Sequence, residues 1–381
     1  MSNIRELFFN NWKTMHRRKT FFLIGLFSLL TLSSQAQEKS WAAKAIKAVA
    51  DYMDSSAVKG VDSRYIVAPK EPWAVVARYN LTEMRLKMKS YFGPIPEAPM
   101  QNFSMQVMER SGTGNILGFW IGYRGYGIGY SKDIGRGGGS LFTTGLTGGS
   151  YGLNLRLRTF KSQNPQGDVT GTDDEGTYMD LHGEMKLKEP IRVRSLYVDG
   201  YYLFNGKHFS YAAAYDQSVI QLRSAGSLMV GAMWQQTTVR YNDNRNALLV
   251  AVMHDVGVVK IRHGSLGVGY AYNWVPCRGL LVNAMAMPML TLYNSQKMEF
   301  YDTYWGSPLT MDDDYLVYRS SATHRSDMTV LLNARMSLTY NWKRFFLNVH
   351  GQLNHFRYDQ NEDGNGWITD WFVNTSLGVR F

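Results

Sequence analysis

From Met328 to Trp342 apolar and polar positions alternate along the chain. Met328, Val330, Leu332, Ala334, Met336, Leu338, Tyr340 and Trp342 share one face, and Thr329, Leu331, Asn333, Arg335, Ser337, Thr339 and Asn341 share the other. A period of two marks a β-strand. This run covers 15 residues, against about 5–6 for a strand of a soluble domain. A strand that crosses a bilayer needs about 9–11 residues and often projects beyond it. The apolar face ends in Tyr340 and Trp342, as expected of a girdle at a membrane interface.

The pattern recurs. Phe345, Leu347, Val349, Gly351 and Leu353 oppose Asn348, His350, Gln352 and Asn354. The last run sets Trp371, Val373, Thr375, Leu377, Val379 and Phe381 on one face and ends on that phenylalanine. An alternating terminal strand with a final aromatic has the form of a signal read by the barrel-assembly machinery. Met84-Leu86-Met88 against Arg85-Lys87-Lys89 reads the same way, as does Tyr151-Leu153-Leu155-Leu157 against Asn154-Arg156-Arg158. Leu266-Val268-Tyr270-Tyr272-Trp274 alternates with Gly267, Gly269 and Ala271. Less regular strands are expected near 73–80, 115–132, 177–188, 194–216, 226–241 and 279–293. The expected fold is all-β, an antiparallel transmembrane β-barrel of 12–14 strands over residues 73–381. Counting back from Phe381 puts outer loops at 357–369, 294–326, 242–263 and 162–176, and inner turns at 341–344 and 275–279.

The N-terminus differs. His16-Arg17-Arg18-Lys19 is a positive cluster, Phe21–Leu32 is an apolar run of 12 residues, and Ser34-Gln35-Ala36 offers small residues for cleavage. This order is that of a secretory signal peptide, residues 1–36. Twelve helical residues span about 18 Å, too short for a hydrocarbon core of roughly 30 Å. The other readings are an uncleaved anchor and a twin-arginine signal at Arg17-Arg18. N-terminal sequencing of membrane-extracted protein is expected to begin at Gln37; a start at Met1 or Met15 would overturn the processing site. Residues 37–72 follow as a periplasmic segment. In it Trp41, Ala45, Ala48, Val49, Tyr52 and Met53 recur at helical spacing, with Lys44, Lys47, Asp51 and Asp54 opposite and Gly60 as a stop.

Composition sharpens the class. Hydrophobic residues make 45% of the chain, yet no stretch reaches the roughly 18–20 apolar residues of a spanning helix. Alternation explains how an apolar chain avoids one. The single cysteine, Cys277, excludes an internal disulfide and a cysteine metal cluster. The formal charge is +10; removing residues 1–36 takes away five basic residues and one acid, a net four, which leaves about +6. Much of the basicity is export signal, so nucleic acid is not an expected partner.

Gly118–Gly135 (GFWIGYRGYGIGYSKDIG), Ser224–Trp234 (SAGSLMVGAMW) and Leu266–Val275 (LGVGYAYNWV) resemble a Bacteroidetes family, domain of unknown function 4421. The resemblance covers roughly residues 62–381. It implies an outer-membrane barrel and brings no activity or catalytic residue.

Candidate chemistry is sparse. His208 and Ser210, two apart on one expected strand face, offer a base and a hydroxyl of the kind some outer-membrane lipid hydrolases use; no acid partner is evident, and two polar residues at a strand mouth explain them equally. Asp359, Asn361, Asp363 and Asp370, with Gly364 at the sixth position, have the spacing of a calcium loop. Turn chemistry alone also explains them. Asp173-Asp174-Glu175 and Asp312-Asp313-Asp314 read as solvated loop tips. The glycines at 125, 127 and 129 lack the context of a phosphate loop and fit tight packing beside aromatics. Arg85, Lys87, Lys89, Arg156, Arg158, Arg335 and Arg380 fall on polar strand faces, opposed by Asp180 and Glu184. A lumen so lined favours anions; mutual ion pairing in a filled barrel is the other reading. On the same register Leu332→Arg is expected to block assembly and Arg335→Leu to be tolerated.

The expected function is therefore a pore, or a binding or structural component of the cell outer membrane, with lipid and the assembly machinery as partners. The alternatives are an outer-membrane hydrolase acting on lipid or glycan, with His208 and Ser210, and a secreted soluble β-protein.

Overall fold

A computed structural model describes Ala48 and residues 51–55, 59–92, 100–110, 114–135, 138–162, 166–173, 178–184, 187, 189–242, 246–253, 255–307, 313–326, 328–359 and 364–381. The expected signal peptide lies outside the described residues. Residues 1–55 form a unit of their own, in which Ala48 and residues 51–55 are helical.

The second unit, residues 56–381, contains β1 (Ile66–Val67), β2 (Trp73–Phe92), β3 (Met100–Arg110), β4 (Gly114–Tyr123), β5 (Tyr126–Asp133), β6 (Ser140–Thr147), β7 (Tyr151–Ser162), β8 (Gln166–Asp173), β9 (Tyr178–Glu184), β10 (Ile191–Leu203), α1 (Ala212–Tyr215), β11 (Ile220–Gln221), β12 (Ala225–Arg240), α2 (Ala247–Val252), β13 (Val256–Cys277), β14 (Leu280–Tyr304), β15 (Tyr315–Arg325), β16 (Thr329–Trp342), β17 (Phe345–Asp359) and β18 (Gly364–Arg380). Twelve of them close one antiparallel barrel in the order β2-β4-β5-β6-β7-β10-β12-β13-β14-β16-β17-β18, with β18 returning to β2. At the seam Trp73 and Phe381 exchange backbone hydrogen bonds of 3.2 and 3.0 Å. Both ends of the barrel chain therefore lie at one rim. Apart from residues 204–224, the turns on that rim are tight: Arg124 and Gly125 both take positive φ, at 50° and 97°, which two-residue hairpins of the right twist require.

β13 and β14 are 22 and 25 residues long, roughly twice what a bilayer needs. The two halves of these strands obey opposite rules. In the lower half apolar residues point outward: Val330, Leu332, Met336, Leu338, Tyr340 and Trp342 of β16 are all exposed, while Asn333 and Thr339 are fully buried. A closed barrel with an apolar belt and an aromatic rim is the form a sheet takes in lipid, because closure leaves no backbone edge unsatisfied. In the upper half apolar residues point inward: Ile191 and Val193 are buried while Arg192 and Arg194 face out. There the exterior meets water and a hydrophobic core fills the interior, formed by residues such as Met84, Leu86, Phe160, Ile191, Tyr241 and Ile368. Above the rim, β3, β8 and β9 extend the sheet from the upper half of β2, and β15 pairs the upper half of β14.

The expected loops shrink accordingly. Only residues 360–363 separate β17 from β18, and β8 and β15 occupy much of the expected 162–176 and 294–326 loops. The expected strand near 194–216 ends at Leu203, because the chain then turns into the lumen.

Candidate functional site

Residues 204–224 join β10 to β12, yet they do not make a short turn. They fold inward as a plug around α1. Ala212, Ala213 and Ala214 are almost wholly buried, and small side chains are what allow a helical turn to sit against the inner wall. The wall holds the plug through its polar positions. Asn348 donates to the Ala214 carbonyl at 2.9 Å, Asn273 to the Ser210 carbonyl at 2.8 Å, and Arg380 to the Gln217 carbonyl at 2.9 Å. Tyr215 donates to Asn283 at 2.7 Å, and Thr147 donates to Asp216. Buried backbone carbonyls need such donors. From below, β1 pairs β11, and Ile66 packs with the plug alanines, Val219 and Leu281. Just outside this clamp, a forked hydrogen bond from Arg64 holds the Asp62 carboxyl well below the usual carboxylate range.

Above the plug lies an internal cavity of about 150 Å³. Its walls carry four arginines, Arg78, Arg156, Arg158 and Arg335, and three aspartates, Asp199, Asp216 and Asp370. Two pairs are direct: Arg335–Asp199 and Arg158–Asp370, each at 2.9 Å and nearly buried. The other two arginines rest on aromatic faces. Arg78 lies 4.2 Å above the Trp120 ring, and Arg156 sits 4.2 Å from Tyr197 and 4.7 Å from Phe372. Gly127 makes room for Trp120, since a side chain there would meet the indole at 2.2 Å. Arg78 Nε and Arg156 Nη2 are buried and have no hydrogen-bond partner among the described residues.

Of the seven basic residues expected to line the lumen, Arg156, Arg158, Arg335 and Arg380 turn inward. Arg85 and Lys87 do not. Met84 and Leu86 take the inner face of β2, and Arg85 pairs Glu83 at 2.9 Å on the outer one. This stretch stands above the bilayer, where the outer surface meets water, so its polarity is inverted. The side chain of Lys89 lies outside the described residues. Asp180 and Glu184 do not oppose the lumenal arginines; they are exposed on β9, in the outer sheet. The opposing charges are Asp199, Asp216 and Asp370. Arg78 carries little signal in the sequence, because the inward positions around it on β2 mix apolar and polar residues.

His208 and Ser210 do not share a strand face, since both belong to the plug. The His208 ring faces Asn205 at 3.1 Å and Asp62 at 3.6 Å, whereas Ser210 Oγ accepts the Ala213 N–H at 3.2 Å. Of the candidate calcium ligands, Asn361 and Asp363 lie outside the described residues, Asp359 ends β17, and Asp370 is the partner of Arg158 within β18. Among the described residues no group of three His, Cys, Asp or Glu is placed to hold a metal. Asp314 accepts the Gly306 N–H at 2.9 Å; Asp312, Asp174 and Glu175 lie outside the described residues. Trp371, Val373, Leu377 and Val379 stand on the outer side of β18, and Phe381 ends it at the rim.

Fold and site together define a lipid-facing β-barrel whose lumen is stoppered from below and holds an arginine-rich chamber. The chain belongs to the family described as Domain of unknown function (DUF4421), whose model matches residues 60–381. No curated protein matches the chain. Among solved structures it is similar to the outer membrane protease OmpT of Escherichia coli (9% identity, 83% of this chain and 99% of that one, TM-score 0.35). It is also similar to the beta domain of the Bordetella autotransporter BrkA (13% identity, 82% and 100%, TM-score 0.30). The translocator domain of autotransporter NalP from Neisseria meningitidis is a third (9% identity, 95% and 99%, TM-score 0.29). Likeness of this degree carries no residue and no activity to this chain.

Proposed function

We propose that the protein resides in the outer membrane of a Gram-negative cell as a closed barrel, a binding or structural component rather than an open pore. The observation that carries this reading is the plug, residues 204–224, fixed to the inner wall by donors from β13, β17 and β18. The core of the upper half adds a second obstruction, with Leu249 and Val250 of α2 buried in it. The apolar belt argues against a secreted soluble β-protein, because exposed apolar area on this scale needs lipid or a partner to cover it. Export would follow cleavage before Gln37, and the assembly machinery would take the terminal strand that ends at Phe381.

Planar-bilayer recording tests closure. The full-length protein is expected to give no steady conductance. The protein assayed is expected to show heat-modifiable migration in detergent gels, so that silence reports a folded barrel. Stable channels from the unaltered protein would overturn the reading.

A further inference from the structure

The chamber walls hold more positive charge than their own carboxylates meet. Arg335 and Arg158 each have an aspartate in contact. Asp216 is engaged by Thr147 and by the Ser218 N–H, and reaches Arg78 only through space. Among the described residues Arg156 has no carboxylate partner, and its Nη2 is buried without an acceptor. A buried donor left unpaired is destabilising, more so when charged, so an arrangement with two such guanidinium groups facing one cavity is one that an incoming acceptor would stabilise. Guanidinium groups match the two oxygens of a carboxylate in a planar fork. The remaining wall is mixed: hydroxyl and amide groups such as Thr143, Asn154 and Gln352 share it with the aromatic side chains Trp120, Tyr197 and Phe372. Their rings already rest against the two arginines, which orients the forks and leaves flat apolar surface beside them. A volume of about 150 Å³ is of the size that admits a single small ring.

We propose that the chamber binds a small organic carboxylate, its oxygens held by Arg78 and Arg156 and its apolar body laid against Trp120, Tyr197 and Phe372. The charge selects the anion and the aromatic walls select the body, so inorganic phosphate meets only half of the site. The inference rests on the lumen being obstructed by the plug rather than open. A conducting barrel would remove that reading, whereas a silent barrel that fails to bind removes this one alone.

Calorimetric titration of the purified full-length barrel in detergent with benzoate, benzamide and inorganic phosphate tests it. Benzoate is expected to bind saturably at one site. Benzamide has the same shape without the charge and is expected to bind at least about tenfold more weakly. Phosphate is expected to compete weakly or not at all. Arg156→Gln should weaken benzoate by about tenfold or more and Arg78→Gln similarly, with Arg156→Lys intermediate; Arg64→Gln, outside the chamber, should leave binding unchanged. Equal binding of benzoate and benzamide would overturn the proposal, as would absence of benzoate binding, binding indifferent to both arginine substitutions, or phosphate binding more tightly than benzoate. The comparison of ligands on the unaltered protein stands even if a substituted barrel fails to fold.

Discussion

Arg335→Leu is expected to destabilise the folded barrel by about 3–5 kcal/mol, because it leaves Asp199 as an unpaired charge in the lumen. The polar face of β16, taken alone, suggests tolerance, since removing a lumenal cation spares the lipid-facing surface. The tertiary structure reverses that expectation. Arg335 and Asp199 come from strands 136 residues apart in sequence and meet at 2.9 Å with both side chains about 9% exposed. Arg335 also donates to Asn333 at 3.3 Å and lies over the Tyr211 ring of the plug, so its loss loosens the plug as well. The measurement is the midpoint of heat-modifiable migration in detergent, compared with Asp199→Leu and with the double substitution. Removing both charges should recover much of the loss, since two apolar groups of similar volume replace the pair. A single Arg335→Leu barrel as stable as the original would sink the account, as would a double variant less stable than either single one.

The second large effect belongs to the lipid face. Met336→Arg is expected to lower stability by about 2–4 kcal/mol, the cost of a cation at the bilayer midplane of a barrel. Met336 is 65% exposed on the outer side of β16 and lies six residues from Trp342 at the aromatic rim. At about 3.4 Å per residue and a tilt near 40°, that places it roughly 15 Å above the girdle, near the middle of a belt about 25 Å tall. Leu332→Arg should cost less, because Leu332 stands four residues higher and pairs with the outward His355 near the upper edge of the belt. Membrane yield and refolding in lipid vesicles report both. Equal effects at the two positions, or a larger one at Leu332, would show that the belt is placed wrongly on the strand.

Period and parity carried much of this fold. The alternation of β16, β17 and the lower half of β18 places Leu338, Leu347 and Leu377 outward and Asn333, Asn348 and Ser376 inward, as their sequence spacing requires. Two side-chain environments, lipid outside and a polar lumen inside, act on every residue of such a strand, so one strand read alone suffices. The same logic misleads at Arg85 and Lys87. Parity there was legible; which side held water was not, because nothing in a single strand says how far above the bilayer it reaches.

The plug lay beyond local reasoning for a related cause. Tyr211 to Tyr215 breaks the period of two, which marks the segment as something other than strand. That it turns inward rather than out depends on donors scattered over distant strands, Asn273, Asn348 and Arg380 among them, which converge only when the barrel closes. Alternation within each strand was enough to specify a membrane sheet with an apolar exterior and a rim of aromatics, since those follow from the burial of alternate residues. What fills the lumen, and which arginines lack a carboxylate among the described residues, emerged with the closed barrel, because charge pairing across it depends on strand neighbours that closure alone assigns.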